Sequence, residues 1–374
     1  MRLSLISVGP PYRGGISDLS ALIYQELSQS HTLQFINFSR QYPALLFPGK
    51  TEYKEGPQAV EIETTRAIDS INPLSWIRAA QRIKEFAPDA VIFRYWNPFF
   101  APMINVISRS LSNQGIKVTL LVDNLIPHEE SFIDSFMARR VLAHADHVFT
   151  MSKSVSQDVR RHHSQVAIRT LFHPLYEIYK SSFSKAEARQ KLGLGSEPLL
   201  MYFGLIRPYK GLDILINALG LIKDDLPELS SLMLGEAYED EQKYRDMIHE
   251  NGLEDRVKFK NAFVSDEDLP IYFAASDVLV LPYRTATQSG IVGIAFQMDR
   301  PVIATNVGGL GEYIKEGHTG YLVPPENPEQ LAQAISKFFS GDDSQKMSDA
   351  VKAEKSKFSI ASFCQKVIEE ISHE

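Results

Sequence analysis

The sequence predicts an α/β protein built from two Rossmann-like, doubly wound domains. Three observations carry that expectation. Short apolar runs alternate with amphipathic helical stretches through both halves of the chain, the pattern that produces parallel sheets covered by helices. Several of the runs, among them AVIFRYW, KVTLLVD, PLLMYFG and DVLVLPY, are rich in Val, Ile and Leu with few polar breaks, as strands buried on both faces are. And 374 residues exceed the size at which a single core keeps growing.

Taken in order, the first half offers RLSLISV, TLQFINF, AVIFRYW, KVTLLVD, HVFTMS and AIRTLF as strands. The second half offers PLLMYFG, LSSLMLGE, VKFKNAF, DVLVLPY, RPVIATNV and GYLVPP. Between them lie helical patterns. From Ile16, the residues Leu19, Leu22, Ile23 and Leu27 fall on one helical face, and Leu212, Leu215, Ile216 and Leu219 repeat in the same way. After AIRTLF the composition shifts to HPLYEIYKSSFSKAEARQKLGLGSEP, polar and punctuated by Gly and Pro. The expected organisation is a first domain over 1–172, a linker over 173–195 and a second domain over 196–356. A C-terminal helix over 357–374 has no strand after it.

A net charge of −7 and a pI near 5.9 argue against a nucleic-acid binder with a broad basic face. Cys364 is the only cysteine, which excludes an internal disulfide and a thiolate metal cluster and fits a reducing compartment. No stretch approaches the about 20 apolar residues that span a bilayer, and MRLSLISVGPPYRGG reads as a first strand, not a signal peptide. The expectation is a cytoplasmic protein that at most sits on the inner face of a membrane.

Three loops suit an anion. In GPPYRGGISDL a strand ends and Gly14 and Gly15 open onto a helix, whose first N–H groups and dipole favour negative charge. The dinucleotide fingerprint G-x-G-x-x-G is absent. In YFGLIRPYKGLDIL, Arg207 and Lys210 follow a strand-end glycine just before a helix; a flat guanidinium and a point charge together suit a diphosphate. In LPYRTATQSGIVG, Thr287, Gln288, Ser289 and Gly290 can wrap a phosphate with N–H groups, hydroxyls and an amide. Ordinary capping and a solvated surface pair are the alternatives to a ligand site at each loop taken alone.

Taken together, GG near the start, FGLIRPYKGLDILINAL, AASDVLVLPY, RPVIATNVGGLGEYI and GYLVPPENPEQLAQAI resemble the family-4 glycosyltransferases of the GT-B fold. The resemblance is strong over 198–340, and HVFTMSKSVSQDV resembles the last strand of that family's first domain. It implies a retaining hexosyltransferase that moves a sugar from a nucleotide-diphosphate donor to a glycan or lipid-linked acceptor, in surface polysaccharide or glycolipid synthesis. No metal or other cofactor is implied. The first domain would hold the acceptor, the second the nucleotide, and the last helix would cross back to the first. Gly14 and Gly15 would meet the donor diphosphate, and Arg207 and Lys210 would stabilise the leaving phosphate. A histidine common near the donor sugar has its nearest matches here in Asp123 and His128, either of which would orient acceptor hydroxyls.

Two departures stand out. Relatives carry a spaced pair of glutamates before the PVIAT strand; aligned on Pro301 those positions are Ala286 and Ile294. The family arginine commonly follows the strand-end glycine directly, where this chain has Leu205 and places Arg207 two further on. Transfer with retention survives both losses if the leaving phosphate accepts the acceptor's proton, because the protein then chiefly positions substrates and stabilises charge.

Elsewhere, Asp266–Asp268 looks like a D-x-D metal signature but opens an apolar helix and reads as capping, with Asn261–Val264 bordering the nucleobase by resemblance. His162 and His163 suit a solvated turn. RYWNPFFAPM reads as core, and SFMARRVLAHA as a possible basic face toward an anionic membrane. The remaining alternatives are a GT-B enzyme of other chemistry, such as a sugar-nucleotide epimerase or phosphorylase, and a non-catalytic nucleotide-sugar-binding module.

Overall fold

The computed structural model of the chain describes residues 1–43, 52–53, 60–126, 132–163, 165–180, 182–286, 289–341 and 343–372. These form two compact units, Met1–Pro174 together with Ile360–Glu374, and Leu175–Ser359.

The first unit is built on seven strands, β1 (Arg2–Ile6), β2 (Thr32–Arg40), β3 (Thr65–Asp69), β4 (Ala90–Tyr95), β5 (Lys117–Val122), β6 (His147–Thr150) and β7 (Ile168–Thr170). They pair in parallel in the order β3-β2-β1-β4-β5-β6-β7. The central strands are the apolar runs of the sequence, and all six residues of β4 are buried. β3 is the strand that periodicity does not reveal. Its sequence TRAID sits at the sheet edge, where one inward apolar residue, Ile68, suffices and the flanking charges keep the edge from pairing further. Helices Pro73–Phe86, Ala101–Ser112, Phe132–Leu142 and Lys153–His162 pack side by side, and Gly15–Ser28 packs on the C-terminal helix Ile360–Ser372. The last helix therefore completes the first unit.

The second unit carries six parallel strands, β8 (Leu199–Phe203), β9 (Ser230–Gly235), β10 (Val257–Asn261), β11 (Val278–Leu281), β12 (Val302–Thr305) and β13 (Gly320–Val323). Their order is β10-β9-β8-β11-β12-β13. The segment expected as a linker departs from that description. From Leu175 onward it belongs to the second unit. It contains a helix, Lys185–Lys191, opened by a Ser184–Glu187 capping box. Arg189 of this helix donates to Ala275 O at 2.9 Å and to Asp277 Oδ2 at 3.0 Å, and Lys185 pairs with the other oxygen of Asp277. Polar composition marked this segment as a spacer, whereas its charges are spent on a buried aspartate.

In both sheets the chain reverses direction beside the first strand, at β1/β4 and at β8/β11. Open α/β sheets bind ligands beyond the carboxyl ends of strands at such points.

Candidate functional site

At the β8/β11 switch point of the second unit, two loops meet. The first leaves β8 through Gly204, whose φ of 133° lies outside the range of L side chains. Arg207 takes the position before a short 3-10 turn, Pro208–Lys210, in which Lys210 N–H donates to Arg207 O at 2.9 Å. Gly211 then turns left-handed (φ 67°) and starts helix Leu212–Leu221. A Cβ at Gly211 would lie 2.0 Å from Pro282 O, so only glycine lets this loop press against the end of β11.

The two expected cations stand in this turn. The Arg207 guanidinium lies 4.7 Å above the Tyr238 ring, and its Nε is buried without a hydrogen-bond partner. Lys210 Nζ lies 3.8 Å over the Tyr283 ring. Aromatic faces attract such charges without neutralising them, and neither cation has a carboxylate partner among the described residues. Burial pushes the Lys210 ammonium down to about 8; Tyr209 opposes that shift and Arg207 adds to it.

The second loop follows β11. Ser289 occupies the N-cap of helix Gly290–Gln297 in an extended conformation, yet its side chain makes no capping bond. Its hydroxyl stands 3.5 Å from Tyr283 Oη instead. The sequence reading of Ser289 as a cap thus holds for position and fails for bonding, and among the described residues the first-turn N–H groups have no side-chain cap. A Cβ at Gly290 would meet Tyr176 Oη at 2.8 Å, so a larger residue there would have to displace that side chain. Thr287 and Gln288 lie outside the described residues.

Arg284, in the same loop, behaves differently from Arg207. Its guanidinium grips both oxygens of Asp213 (2.9 and 2.6 Å), reaches Glu326 Oε1 at 3.3 Å and donates to Pro208 O at 2.7 Å. Those partners hold its pKa above the usual arginine value. At Asp213 burial pushes upward, but the bonds and charge of Arg284 outweigh it and the carboxyl sits low. Arg284 is a stitch between loops; Arg207 and Lys210 are not satisfied in this way.

In the first unit, Gly14 is the N-cap of helix Gly15–Ser28 with φ 110° and ψ 160° and no side-chain cap. A Cβ there would touch nothing within 4 Å, so the backbone angle and not space demands glycine. The preceding loop is held by buried Asn37, which accepts from Gly9 N–H at 3.1 Å and donates to Pro10 O at 2.9 Å. Asp123, expected to orient acceptor hydroxyls, has other partners. One oxygen accepts from Arg94 Nε at 3.1 Å and the other from a second guanidinium nitrogen of Arg94. Arg94 is fully buried, and it also donates to Ile16 O at 2.9 Å and Ser20 Oγ at 3.1 Å. Asp123 therefore neutralises a buried charge that ties β4 to the start of the glycine-led helix. His128 lies outside the described residues.

The D-x-D segment also differs from its expected capping role. Asp266 accepts from Tyr179 Oη at 2.8 Å, and Asp268, at the N-cap of helix Leu269–Ala275, makes no capping bond and accepts from Ser265 Oγ at 2.9 Å. In RYWNPFF, Tyr95 and Phe100 are buried and Trp96 and Phe99 pack against that core.

Sequence reasoning missed Arg94, Tyr176, Asp213, Tyr238, Tyr283 and Arg284. A lone arginine inside the apolar run AVIFRYW was the one available signal for Arg94. The tyrosines gave none, since a strand-end aromatic looks the same in a core.

Two Rossmann-like sheets in one chain, the second with cations at its switch point, define the GT-B fold class. Residues 184–356 match the family model of glycosyl transferases group 1. The Anabaena protein Alr3699/HepE, solved in complex with UDP, superposes with a TM-score of 0.76 over 99% of both chains at 20% identity. WaaG, a glycosyltransferase involved in lipopolysaccharide biosynthesis, gives 0.67 over 100% of both at 16% identity. Such identities speak to the fold alone. Among curated relatives, the D-inositol 3-phosphate glycosyltransferase of Streptomyces coelicolor is 33% identical over 45% of this chain and 38% of its own length. Spore coat protein SA of Bacillus subtilis is 26% identical over 73% of this chain and 68% of its own. The chain spans under half the length of the D-inositol 3-phosphate glycosyltransferases it matches.

Proposed function

We propose that the protein is a retaining glycosyltransferase that moves a hexose-type sugar from a nucleotide-diphosphate donor to a glycan or lipid-linked acceptor, without a bound metal. One observation carries the reading: among the described residues, Arg207 and Lys210 have no acid partner and stand beside a helix start at Ser289–Gly290 with no side-chain cap. That is a site built for a multiply charged anion that is itself mobile.

In the proposed reaction the bond between the sugar's anomeric carbon and the β-phosphate oxygen breaks. The acceptor oxygen bonds to the same face of that carbon, and the acceptor's proton passes to the departing phosphate. Lys210 and Arg207 stabilise the charge that grows on the phosphate, while first-turn N–H groups after Ser289 hold it in place. In the first unit, Asp123 acts through Arg94 on the shape of the Gly14–Gly15 turn, not on the acceptor directly.

Purified protein is to be assayed for transfer or hydrolysis of UDP-, GDP- and ADP-sugars. Activity with one donor class is expected, lost in Arg207→Ala/Lys210→Ala. Full activity in that double variant would sink the mechanism. Among the described residues, the two carboxylates that meet these loops, Asp213 and Glu326, are both engaged by Arg284, which does not favour an epimerase.

We also propose a peripheral seat on an anionic membrane. Phe132 (87% exposed), Ile133 and Phe136 project from helix Phe132–Leu142 beside exposed Arg139 and Arg140. An apolar tip with a basic rim suits an interface. No described helix is long and apolar enough to cross a membrane.

A further inference from the structure

Whether Arg207 and Lys210 face a ligand is decided by a pair of neighbours on the other loop. Tyr283 and Arg284 contact the turn Arg207–Lys210 at every level. Arg284 N–H donates to Tyr209 O at 2.8 Å, and its guanidinium donates to Pro208 O at 2.7 Å. The same guanidinium holds Asp213, in the first turn of the helix that follows, through two parallel bonds of 2.9 and 2.6 Å. The Tyr283 ring lies under Lys210 Nζ at 3.8 Å. Tyr283 is itself fixed, since it is 1% exposed and its carbonyl accepts from Thr305 Oγ1 at 2.6 Å. Pro282 O meets the backbone at Gly211 closely enough to exclude any side chain.

We propose that Tyr283 and Arg284 are positioning residues, a clamp that sets where the Arg207–Lys210 turn presents its two charges. The proposal rests on the donor-site reading above and adds to it the residues that preorganise the site. The turn is a single three-residue 3-10 turn, whose hydrogen-bond geometry is poor, and it carries two like charges. The clamp supplies backbone acceptors with fixed donors, and gives Lys210 an aromatic seat where an acid would have neutralised it. Arg284 can do this because its fork addresses a carboxylate and a carbonyl at once, which an ammonium cannot. It is the only cation of the two loops saturated by acids among the described residues, and it never needs to meet the ligand.

The test is isothermal titration of UDP, GDP, ADP and inorganic pyrophosphate into wild-type protein and the variants Lys210→Met, Arg284→Lys, Arg284→Ala, Tyr283→Phe and Tyr283→Leu. The doubles Lys210→Met/Arg284→Ala and Lys210→Met/Tyr283→Leu complete two cycles. The clamp predicts about tenfold weaker binding for Arg284→Ala, Arg284→Lys and Tyr283→Leu. Tyr283→Phe keeps the ring face and most of the affinity. In the doubles the losses add only in part, because without Lys210 the clamp has Arg207 alone left to position. Thermal melts identify any variant that fails to fold; Arg284→Lys and Tyr283→Phe, the smallest changes, then carry the test. Additive losses, or wild-type affinity in Arg284→Lys, overturn the clamp while leaving the donor site standing. A wild-type protein that binds none of the four ligands overturns the donor-site reading, and the clamp falls with it.

Discussion

Lys210 gives the most exacting prediction, because its charge state is set by its surroundings and a diphosphate must change them. Burial brings its ammonium down to about 8 in the free protein. A phosphate oxygen beside it favours the charged form, so the bound pKa must be higher and binding must take up a proton. The sign follows: below about pH 7 Lys210 is already charged and affinity is insensitive, while above 8 the competent fraction shrinks. If only the ammonium form engages, the apparent Kd grows with the reciprocal of that fraction, about twofold at pH 8 and about tenfold at pH 9. Calorimetric titration of UDP from pH 6.5 to 9.5, in buffers of different ionisation heat, reads both the weakening and the proton. These pH values are chosen to bracket about 8.

Neighbouring groups stay silent in that window. Burial pushes Tyr202 and Tyr283 well above the usual phenol value, and the bonds from Arg284 hold Asp213 low despite its burial. Lys210→Met should therefore bind more weakly and without the inflection. Folding responds in the opposite sense. An unfolded chain binds the Lys210 proton more readily than the folded one, so the folded state is penalised at neutral pH and gains stability as pH rises through 8. Relief of that penalty, up to about 3 kcal/mol, should make Lys210→Met melt higher than wild type at pH 7. A flat wild-type affinity to pH 9.5, or the same inflection in Lys210→Met, would refute the assignment of this charge to the ligand.

Arg94→Met leaves Asp123 without its buried partner and should cost about 3–5 kcal/mol, read as a lower urea midpoint for the first unit. Gly211→Ala places a methyl against Pro282 O and strains a left-handed residue; a loss of about 1–3 kcal/mol is expected together with weaker UDP binding. If Gly211→Ala binds UDP normally, the two loops are not braced as described. Phe132→Asp/Phe136→Asp should abolish flotation with phosphatidylserine vesicles, and raised salt should weaken the wild type. Flotation that persists in the double variant would remove that helix from the membrane contact.

Much of the fold was legible because parallel strands buried on both faces must be largely apolar; β8 and β11 carry no charged residue, and β1, β4 and β5 carry one each. β3 was not, since an edge strand with one inward residue leaves no periodic trace. The stretch 175–195 misled for the opposite reason. It is polar because Lys185 and Arg189 are needed at Asp277, a partner 92 and 88 residues away that composition cannot see.

The site shows the same limit more sharply. In sequence, Arg207 and Arg284 are alike: each follows a strand end and precedes a helix among small and aromatic residues. Position and residue type therefore mark both loops as anion-friendly and cannot rank the two cations. What separates them is where the acids are. Asp213 lies only six residues after Arg207 yet serves Arg284, and Glu326 reaches it from beyond β13. Arg207 is left with a tyrosine face and a buried Nε that bonds to nothing. An unpaired buried donor is costly, and the proposed donor phosphate would supply the acceptor that this one lacks. Ile294, 8% exposed, puts an apolar side chain in helix Gly290–Gln297 where the resemblance places an acid, so that helix brings no carboxylate of its own to the two loops.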